Sequence, residues 1–201
     1  MRGQYLRRAG TVPAPGWHGR GQDHVRSGSR SRPARVVAVV PLDEIALTTI
    51  DGRTTTFAEY AGPVTLVVNV ASRCGFTRQY AALEALHRTY GARGLTVMGF
   101  PTHQFLQEPG SDEDIQQFCS TTFGVTFPLF AKTKVKGRDR HPLFAELTKA
   151  RDTVGLAGSV RWNFEKFLVT SDGAVHRFRS TTEPDDPAVV ALIEQSLAAA
   201  D

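Results

Sequence analysis

One stretch of the 201-residue chain constrains its fold more than any other, because it joins an apolar run, a helical pattern and a second apolar run. VTLVVNV at residues 64–70 is apolar almost throughout, which predicts a strand buried on both faces of a sheet. A helical periodicity follows and ends at Gly91, and LTVMGF at residues 95–100 is the next strand. The helical positions are Tyr80, Leu83, Leu86 and Tyr90. Strand, helix and strand with short links predict a right-handed unit with parallel strands.

Two Asp-Gly pairs predict hairpins on either side of this unit. The first pair, at residues 51–52, separates two β-prone runs and opens the domain. The second pair, at residues 172–173, joins predicted strands at residues 164–170 and 174–178. A C-terminal helix is predicted to follow over residues 187–199.

Two further helices are predicted between these halves. One begins at Ser111, a capping residue followed by three acids, and runs to about residue 121; the other spans residues 142–150. A βαβ half followed by a ββα half predicts an α/β domain whose mixed sheet is flanked by helices. This is the plan of a thioredoxin-like fold, here with an N-terminal β-hairpin.

The basic charge of the chain is confined to its beginning. Residues 1–35 hold eight arginines against Asp23, a net charge of +7, whereas the remaining residues carry 16 basic and 19 acidic side chains, a net charge of −3. A basic groove for nucleic acid on the domain is therefore not expected. Because so polar a segment buries too little to offset its ordering entropy, we predict a disordered extension at residues 1–38 and one thioredoxin-like domain at residues 39–201. A transit peptide stays open as an alternative reading of the extension.

The chain has few features of a secreted or membrane protein. The extension lacks the apolar core of a secretory signal, and no apolar run approaches the roughly 18 residues of a membrane span. Its two cysteines, Cys74 and Cys119, are too few for a secreted disulfide framework and lack the paired spacing of a structural zinc site. We therefore expect a soluble, cytoplasmic protein without metal or cofactor, in which the cysteines carry out thiol chemistry or are simply buried.

Cys74 lies where reactive groups gather in α/β proteins. It follows a buried strand by four residues and comes just before a helix, beyond the carboxyl end of the strand. A thiol there meets unpaired backbone N–H groups and the positive end of the helix dipole, which favour the nucleophilic thiolate. Its neighbours Ser72, Arg73 and Thr77 are polar, which is unusual around a cysteine that only fills a core.

The position three residues beyond Cys74 distinguishes between thiol chemistries. A thioredoxin-type reductase has a second cysteine there, whereas this chain has Thr77, so a local disulfide cannot form. A lone thiolate can still attack a peroxide to give a sulfenic acid, which a more distant thiol condenses into a disulfide. Cys119 is the only other cysteine of the chain.

Several motifs in order resemble the glutathione peroxidase family, in its cysteine-containing branch, almost continuously from residue 42 to residue 197. They are NVASRCG at 69–75, QY at 79–80, GFPTHQF at 99–105, QEPG at 107–110, VTFP at 125–128, HPLF at 141–144 and WNFEKFLV at 162–169. The resemblance implies a thioredoxin fold and a peroxidatic tetrad of Cys74, Gln104, Trp162 and Asn163. Glutamine, asparagine and tryptophan each offer N–H donors that could stabilise a thiolate or a departing oxygen.

Two positions depart from the family pattern. The usual Phe-Pro-Cys-Asn-Gln-Phe reads Phe-Pro-Thr-His-Gln-Phe, so Thr102 replaces a cysteine and His103 replaces an asparagine. His103 is interpreted as a surface loop residue, with a proton shuttle as the alternative.

The resemblance also implies how the enzyme is regenerated. In the branch that this chain resembles, the resolving cysteine lies in a Phe-Cys pair before Val-Thr-Phe-Pro, which assigns Cys119 as resolving and thioredoxin as reductant. The animal tetrameric members carry a long insertion ahead of Trp-Asn-Phe, which is absent here, so a monomer is expected. We expect hydrogen peroxide and organic hydroperoxides as substrates. The alternatives are a one-cysteine, glutathione-dependent cycle, a redox sensor or relay, and a peroxiredoxin. Peroxiredoxins have a threonine three residues before the reactive cysteine, whereas this chain has Ala71 at that position, which argues against that family.

Overall fold

The computed structural model describes residues 41–200, so the predicted extension at residues 1–38 lies outside the described residues. The first described strands, β1 (Ala46–Thr48) and β2 (Thr54–Thr56), form the predicted antiparallel hairpin. Gly52 takes a φ of 84° in its turn and donates its N–H to the Thr49 carbonyl at 2.9 Å. The Asp-Gly prediction is confirmed, because glycine adopts this left-handed backbone without steric cost.

The main sheet has four strands in the order β4-β3-β5-β6. These are β3 (Val64–Val70), β4 (Leu95–Pro101), β5 (Lys166–Val169) and β6 (Val175–Phe178). The β3 and β4 strands are parallel, while β5 runs antiparallel to both β3 and β6. Every residue of β3 is buried, as its continuous apolar run predicts. The mixed sheet and its internal strand β3 are thereby confirmed.

Within residues 41–200, four α-helices cover the sheet: α1 (Gln79–Tyr90), α2 (Asp112–Phe123), α3 (Pro142–Leu147) and α4 (Pro187–Ala200). The α1 helix continues past Gly91 as a 3₁₀ turn, and the glycine that takes the left-handed capping conformation is Gly94, with a φ of 104°. The predicted end of α1 at Gly91 is confirmed, and the 3₁₀ turn that follows it was not predicted. The α3 helix ends at Leu147 rather than at the predicted residue 150, because the chain enters tight turns there.

The alternation of side chains along the strands divides the core between the two faces of the sheet. On one face, residues such as Leu66 pack with buried residues of α1, α2 and α4. On the other face, residues such as Val67 pack with the β1–β2 hairpin and with α3. None of the helices within residues 41–200 is long and apolar enough to cross a membrane.

Candidate active site

The loop that carries Cys74 is braced by Thr77. The Thr77 hydroxyl accepts the N–H of Cys74 at 2.9 Å and donates to the carbonyl of Ala71 at 2.9 Å. Thr77, at the position of the second cysteine in thioredoxin-type reductases, thus fixes the path from the end of β3 to the thiol. Cys74 is 9% exposed, so it is largely shielded from solvent.

The Cys74 sulfur accepts a hydrogen bond from a backbone amide. The N–H of Phe76 points to Sγ at 3.4 Å. The regular α1 helix starts only at Gln79, but overlapping turns extend its winding back toward the thiol: Thr77 donates its N–H to the Cys74 carbonyl at 3.0 Å, and Gln79 donates to Phe76 at 2.8 Å. The thiol therefore lies on the turn that leads into the helix, with a backbone N–H directed at its sulfur.

Asn69, the buried penultimate residue of β3, joins a second loop to this edge of the sheet. Its Nδ2 donates to the Trp162 carbonyl at 3.0 Å, and its Oδ1 accepts the N–H of Glu165 at 3.1 Å. Its carbonyl accepts the N–H of Phe164 at 2.6 Å. Since β5 is antiparallel to β3, the segment before β5 meets the carboxyl end of β3. Trp162 and Asn163 are thereby carried to the edge of the sheet that bears Cys74.

Phe164 has a φ of 61°, a conformation that costs a non-glycine residue roughly 1–2 kcal/mol. Buried ionic contacts fix the surrounding chain and offset this strain. Glu165 pairs with the fully buried Arg177 at 2.6 Å and contacts Arg179 as well. Arg177 in turn donates to the Gly158 carbonyl at 2.7 Å, which anchors the segment that leads into Trp162.

Asn163 meets a glutamine, and that glutamine is Gln107. The fully buried Asn163 donates from Nδ2 to the Gln107 Oε1 at 2.9 Å. The Gln107 carbonyl accepts the N–H of Arg73 at 3.0 Å, so Gln107 also lies against the residue before Cys74. Asn163 Oδ1 is buried and has no hydrogen-bond partner within residues 41–200. Gln107 therefore connects the Cys74 loop with the Asn163 loop.

Gln104, the glutamine expected in the tetrad, has different partners. Its Oε1 accepts the N–H groups of Val135 and Lys136 at 2.7 and 2.9 Å, and its Nε2 donates to the Lys136 carbonyl at 3.0 Å. These three bonds hold the 135–136 segment in place. A turn closed by the Leu106 N–H and the His103 carbonyl, 2.8 Å apart, separates the two glutamines. The structure thus gives Gln104 a scaffolding contact and Gln107 the contact to Asn163.

Trp162 and Leu106 expose apolar surface beside these loops. Trp162 is 40% exposed and packs against Phe105, with ring centroids 5.3 Å apart. Leu106 is 82% exposed and takes a φ of 60°, which is unfavourable for a leucine. Of the two departures from the family pattern, Thr102 is fully buried, and His103 is exposed with its Nδ1 2.8 Å from the Glu108 carbonyl. The exposure of His103 agrees with its interpretation as a surface loop residue.

Cys119 is fully buried on α2, and both cysteines are free thiols. The pKa of the Cys119 thiol is raised to about 11, with burial as the main cause; a hydrogen bond with the Tyr80 hydroxyl opposes the rise, and the negative charge of Glu108 adds to it. Cys119 is therefore a protonated and buried thiol in this state of the protein.

Lys166 is buried at the first position of β5, where its ammonium donates to Gln79 Oε1 at 2.8 Å and to the Phe164 carbonyl at 2.7 Å. It thus links the start of α1 to the strained residue after Asn163. Burial lowers the pKa of Lys166 to about 7, against partial compensation by the charges of Glu183 and Glu165. Within the described part of the chain, no group of three or more His, Cys, Asp or Glu side chains is arranged to hold a metal ion.

The lowered pKa of Lys166 predicts that the protein becomes more stable as pH rises above 7. Between pH 7 and about 10 the unfolded chain keeps a proton on this lysine that the folded chain has released, so the free energy of unfolding increases by up to about 1.4 kcal/mol per pH unit from this group. Lys166→Met should flatten the slope. Urea unfolding at pH 7, 7.75 and 8.5 measures this slope. The window lies below the pH range in which the raised pKa of Cys119 would lower the free energy of unfolding as pH rises. Lys149→Met, at an exposed position, is the matched control. An unchanged slope in Lys166→Met would contradict the assignment.

Comparison with known proteins places this chain among peroxidases. A sequence model of the family described as glutathione peroxidase matches residues 42–148. The chain is 46% identical over 170 residues to the thioredoxin/glutathione peroxidase BtuE of Escherichia coli, covering 74% of this chain and 93% of that protein. It is 46% identical over 155 residues to the hydroperoxy fatty acid reductase gpx1 of Synechocystis, covering 74% and 90%.

Solved structures give the same result for the fold. A crystal structure described as Trgpx in its apo form is 34% identical in sequence and superposes with a TM-score of 0.63, covering 79% of this chain and 97% of that one. A thiol:disulfide interchange protein of the thioredoxin family from Chlorobium tepidum, at 18% identity and a TM-score of 0.51, shares the fold alone. The predicted thioredoxin-like fold is confirmed.

Proposed function

Because this chain belongs to the glutathione peroxidase family, and is thus an oxidoreductase that acts on peroxides, we propose that it works as a two-cysteine, thioredoxin-dependent thiol peroxidase. Cys74 is the residue that attacks the hydroperoxide, and Cys119 resolves the oxidised form. The observation that carries the proposal is the convergence on one sheet edge of a thiol bonded to a backbone N–H and a hydrogen-bonded Asn163–Gln107 pair. The 46% identity to a thioredoxin/glutathione peroxidase supports thioredoxin as the reductant.

In the first half of the cycle, the Cys74 thiolate attacks the terminal oxygen of a hydroperoxide. The S–O bond forms as the O–O bond breaks, the sulfur is oxidised to a sulfenic acid, and the alcohol or water leaves with a proton. Negative charge moves onto the departing oxygen, where N–H donors are most useful. Gln107, Trp162 and Asn163 supply amide and indole donors at this edge of the sheet. We place Gln107 in the role that the resemblance assigns to Gln104, because Gln107 contacts Asn163.

Replacing Gln107 should mainly affect activity, whereas replacing Gln104 should mainly affect stability. Gln107→Ala is expected to lower kcat/KM for hydrogen peroxide by about 10²-fold, because it removes a donor for the departing oxygen. Gln104→Ala is expected to lower the free energy of unfolding by about 2 kcal/mol, since it leaves the backbone amides of the 135–136 segment without an acceptor. Denaturant unfolding and initial rates of both variants measure this. If Gln104→Ala lowers kcat/KM and Gln107→Ala does not, Gln104 belongs to the tetrad, as the resemblance implies.

In the second half of the cycle, the Cys119 thiol attacks the Cys74 sulfenic acid, releasing water and forming a disulfide. Cys119 is fully buried, so the end of α2 must open first. A capping box of Ser111 and Asp114 secures the start of α2, and Gly124 caps its end. Residues 120–122, just after Cys119, are exposed, so their opening disrupts few buried contacts and costs little. Thioredoxin then reduces the disulfide and restores both thiols.

The apolar surface of Leu106 and Trp162 supports organic hydroperoxides as substrates beside hydrogen peroxide. A relative of this chain carries the name hydroperoxy fatty acid reductase, which agrees with a substrate that has an apolar chain. Leu106→Gly is expected to lower kcat/KM for a fatty acid hydroperoxide about tenfold by removing apolar contact area, with hydrogen peroxide unaffected. Val154→Ala changes a similarly exposed side chain elsewhere and serves as the control. An equal effect of Leu106→Gly on both substrates would contradict a role of Leu106 in substrate preference.

We further propose a monomer in the cytoplasm. Cys74, Gln107, Trp162 and Asn163 all come from one chain, so the site needs no second copy. Two free cysteines and a thioredoxin-dependent cycle suit a reducing compartment. Light scattering of the purified protein tests the monomer, and fractionation of the source cells tests the compartment.

Peroxide turnover with thioredoxin, thioredoxin reductase and NADPH is the experiment for the whole proposal. Steady NADPH oxidation that saturates with thioredoxin is expected, and glutathione with glutathione reductase should sustain far less. If glutathione alone sustains turnover, a one-cysteine cycle replaces this one. If the protein oxidises stoichiometrically but neither reductant sustains turnover, a redox relay to another protein is the better description.

A further inference from the structure

Glu108 is a buried carboxyl group that the cycle described above does not use. It is 1% exposed, and its Oε2 accepts both the N–H of Ser72 at 2.7 Å and the Ser72 hydroxyl at 3.0 Å. Ser72 lies two residues before Cys74, so the carboxyl group is attached to the loop that carries the peroxidatic thiol. Both hydrogen bonds fall on Oε2, and Oε1 receives neither. Glu108 is thus fixed in place with one oxygen left for another partner.

A cavity separates this carboxyl group from the helix that carries Cys119. Its volume is about 150 Å³, and it is lined by Ser72, Arg73 and Glu108 on one side and by Ile115 and Phe118 of α2 on the other. Ile115 lies one helical turn before Cys119, and both are buried. Glu108 therefore faces the buried side of α2 on which the second thiol is carried.

The resolving step needs a proton acceptor at this place. The nucleophile in disulfide formation is a thiolate, whereas burial keeps the Cys119 thiol protonated at neutral pH. The other buried acid beside Cys119 is Tyr80, whose pKa burial raises well above the usual value, so its phenol has no proton-accepting charge to offer. Burial also raises the pKa of Glu108 from its ordinary value. A carboxylate with a raised pKa is a stronger base, and its acid form is present in a larger fraction near neutral pH.

We propose that Glu108 is the general base and acid of the resolving step, in which Cys119 attacks the oxidised Cys74. Glu108 takes the proton from the Cys119 thiol as its sulfur bonds to the Cys74 sulfur. The S–O bond of the sulfenic acid breaks, and Glu108 returns the proton to the leaving hydroxide, which departs as water. Cys119 is oxidised, the Cys74 sulfur is reduced, and Glu108 ends as it began. Because the carboxyl group is attached to Ser72, it stays beside Cys74 when α2 opens and Cys119 approaches.

This inference rests on the proposed two-cysteine cycle, and one experiment separates the two. Each of four proteins is mixed with one equivalent of hydrogen peroxide and quenched with a thiol-alkylating reagent at increasing times, and its intact mass is measured by mass spectrometry. The four are wild type, Glu108→Gln, Ser72→Ala and Glu113→Gln. The mass gives the fractions of dithiol, sulfenic acid and disulfide at each time. Glu113→Gln removes the same charge from an exposed position of α2 and is the matched control.

In Glu108→Gln the dithiol should disappear at the wild-type rate, whereas the disulfide should form at least about a hundredfold more slowly, so that the sulfenic acid accumulates. Glu113→Gln should match wild type. An unchanged rate of disulfide formation in Glu108→Gln overturns the role of Glu108. Equal slowing of both steps in Glu108→Gln and in Ser72→Ala also overturns it, because the carboxyl group then only supports the Cys74 loop. If wild type forms no disulfide at all, the two-cysteine cycle itself has failed.

Discussion

Replacing Cys74 with serine is expected to lower peroxide turnover by at least about a thousandfold. In the proposed cycle the attacking group is the thiolate of Cys74, whose sulfur accepts the Phe76 N–H at 3.4 Å. A serine hydroxyl stays protonated at neutral pH and does not form the sulfenic acid on which the second half of the cycle depends. The thioredoxin-coupled assay with hydrogen peroxide measures the loss, and circular dichroism establishes that the variant folds.

Serine is the closest neutral replacement in shape, so the Cys74 loop and its bracing by Thr77 should persist. Thr77→Val is a useful companion variant, because it keeps the thiol but removes the hydroxyl that accepts the Cys74 N–H and donates to Ala71. It should be slower than wild type yet clearly active. Residual turnover of a few per cent or more in folded Cys74→Ser would mean that another group reduces the peroxide.

Replacing Cys119 with serine is expected to reduce thioredoxin-dependent turnover by about a hundredfold while leaving the first oxidation of Cys74 at its wild-type rate. The two steps separate because Cys119 is fully buried on α2 and takes no part in the attack on peroxide. Without it, the sulfenic acid has no partner within the chain and becomes open to over-oxidation to the sulfinic acid. Three readouts test this: the rate of thioredoxin-dependent turnover, chemical trapping of the sulfenic acid, and the gain in protein mass from a second oxygen on Cys74.

Cys119→Ala is the control for packing, since it also removes the thiol but adds no hydroxyl to a buried position. Both variants should fail in the same way. If either supports thioredoxin turnover at the wild-type rate, Cys119 is a core residue of α2, and the reductant must act directly on Cys74.

The sequence predicts the framework of this site because the physical causes are local. A strand that is buried on both faces has a nearly continuous run of apolar residues. VTLVVNV at residues 64–70 is such a run, and it identifies β3. An Asp-Gly pair supplies the left-handed turn of a hairpin, as at Gly52. A cysteine placed between such a strand and a helix must then lie at the carboxyl edge of the sheet. Cys74, Trp162 and Asn163 follow from this reasoning together with the family motifs.

What could not be predicted depends on contacts between distant parts of the chain. Gln104 and Gln107 are both amides in the loop after β4, and the turn between them decides which one meets Asn163. Nothing near Glu108 in the sequence indicates that it is buried, because its partner Ser72 lies 36 residues away. The 3₁₀ turn from Gly91 to Arg93, capped by Gly94, was not predicted, since the sequence does not show whether the chain goes on winding after a first glycine. The adjacency of Gln107 to the Glu-Pro-Gly motif was the available indication of its role.

The central claim is that Cys74 and Cys119 form a disulfide during the cycle, although both are free thiols in this structure. Its most direct test is peptide mapping of the protein after reaction with one equivalent of hydrogen peroxide, quenched at low pH to prevent thiol exchange. The account predicts a single cross-linked peptide pair containing Cys74 and Cys119, which reduced thioredoxin converts back to two thiols. An oxidised Cys74 beside an unmodified Cys119, or a disulfide between two chains, would contradict it.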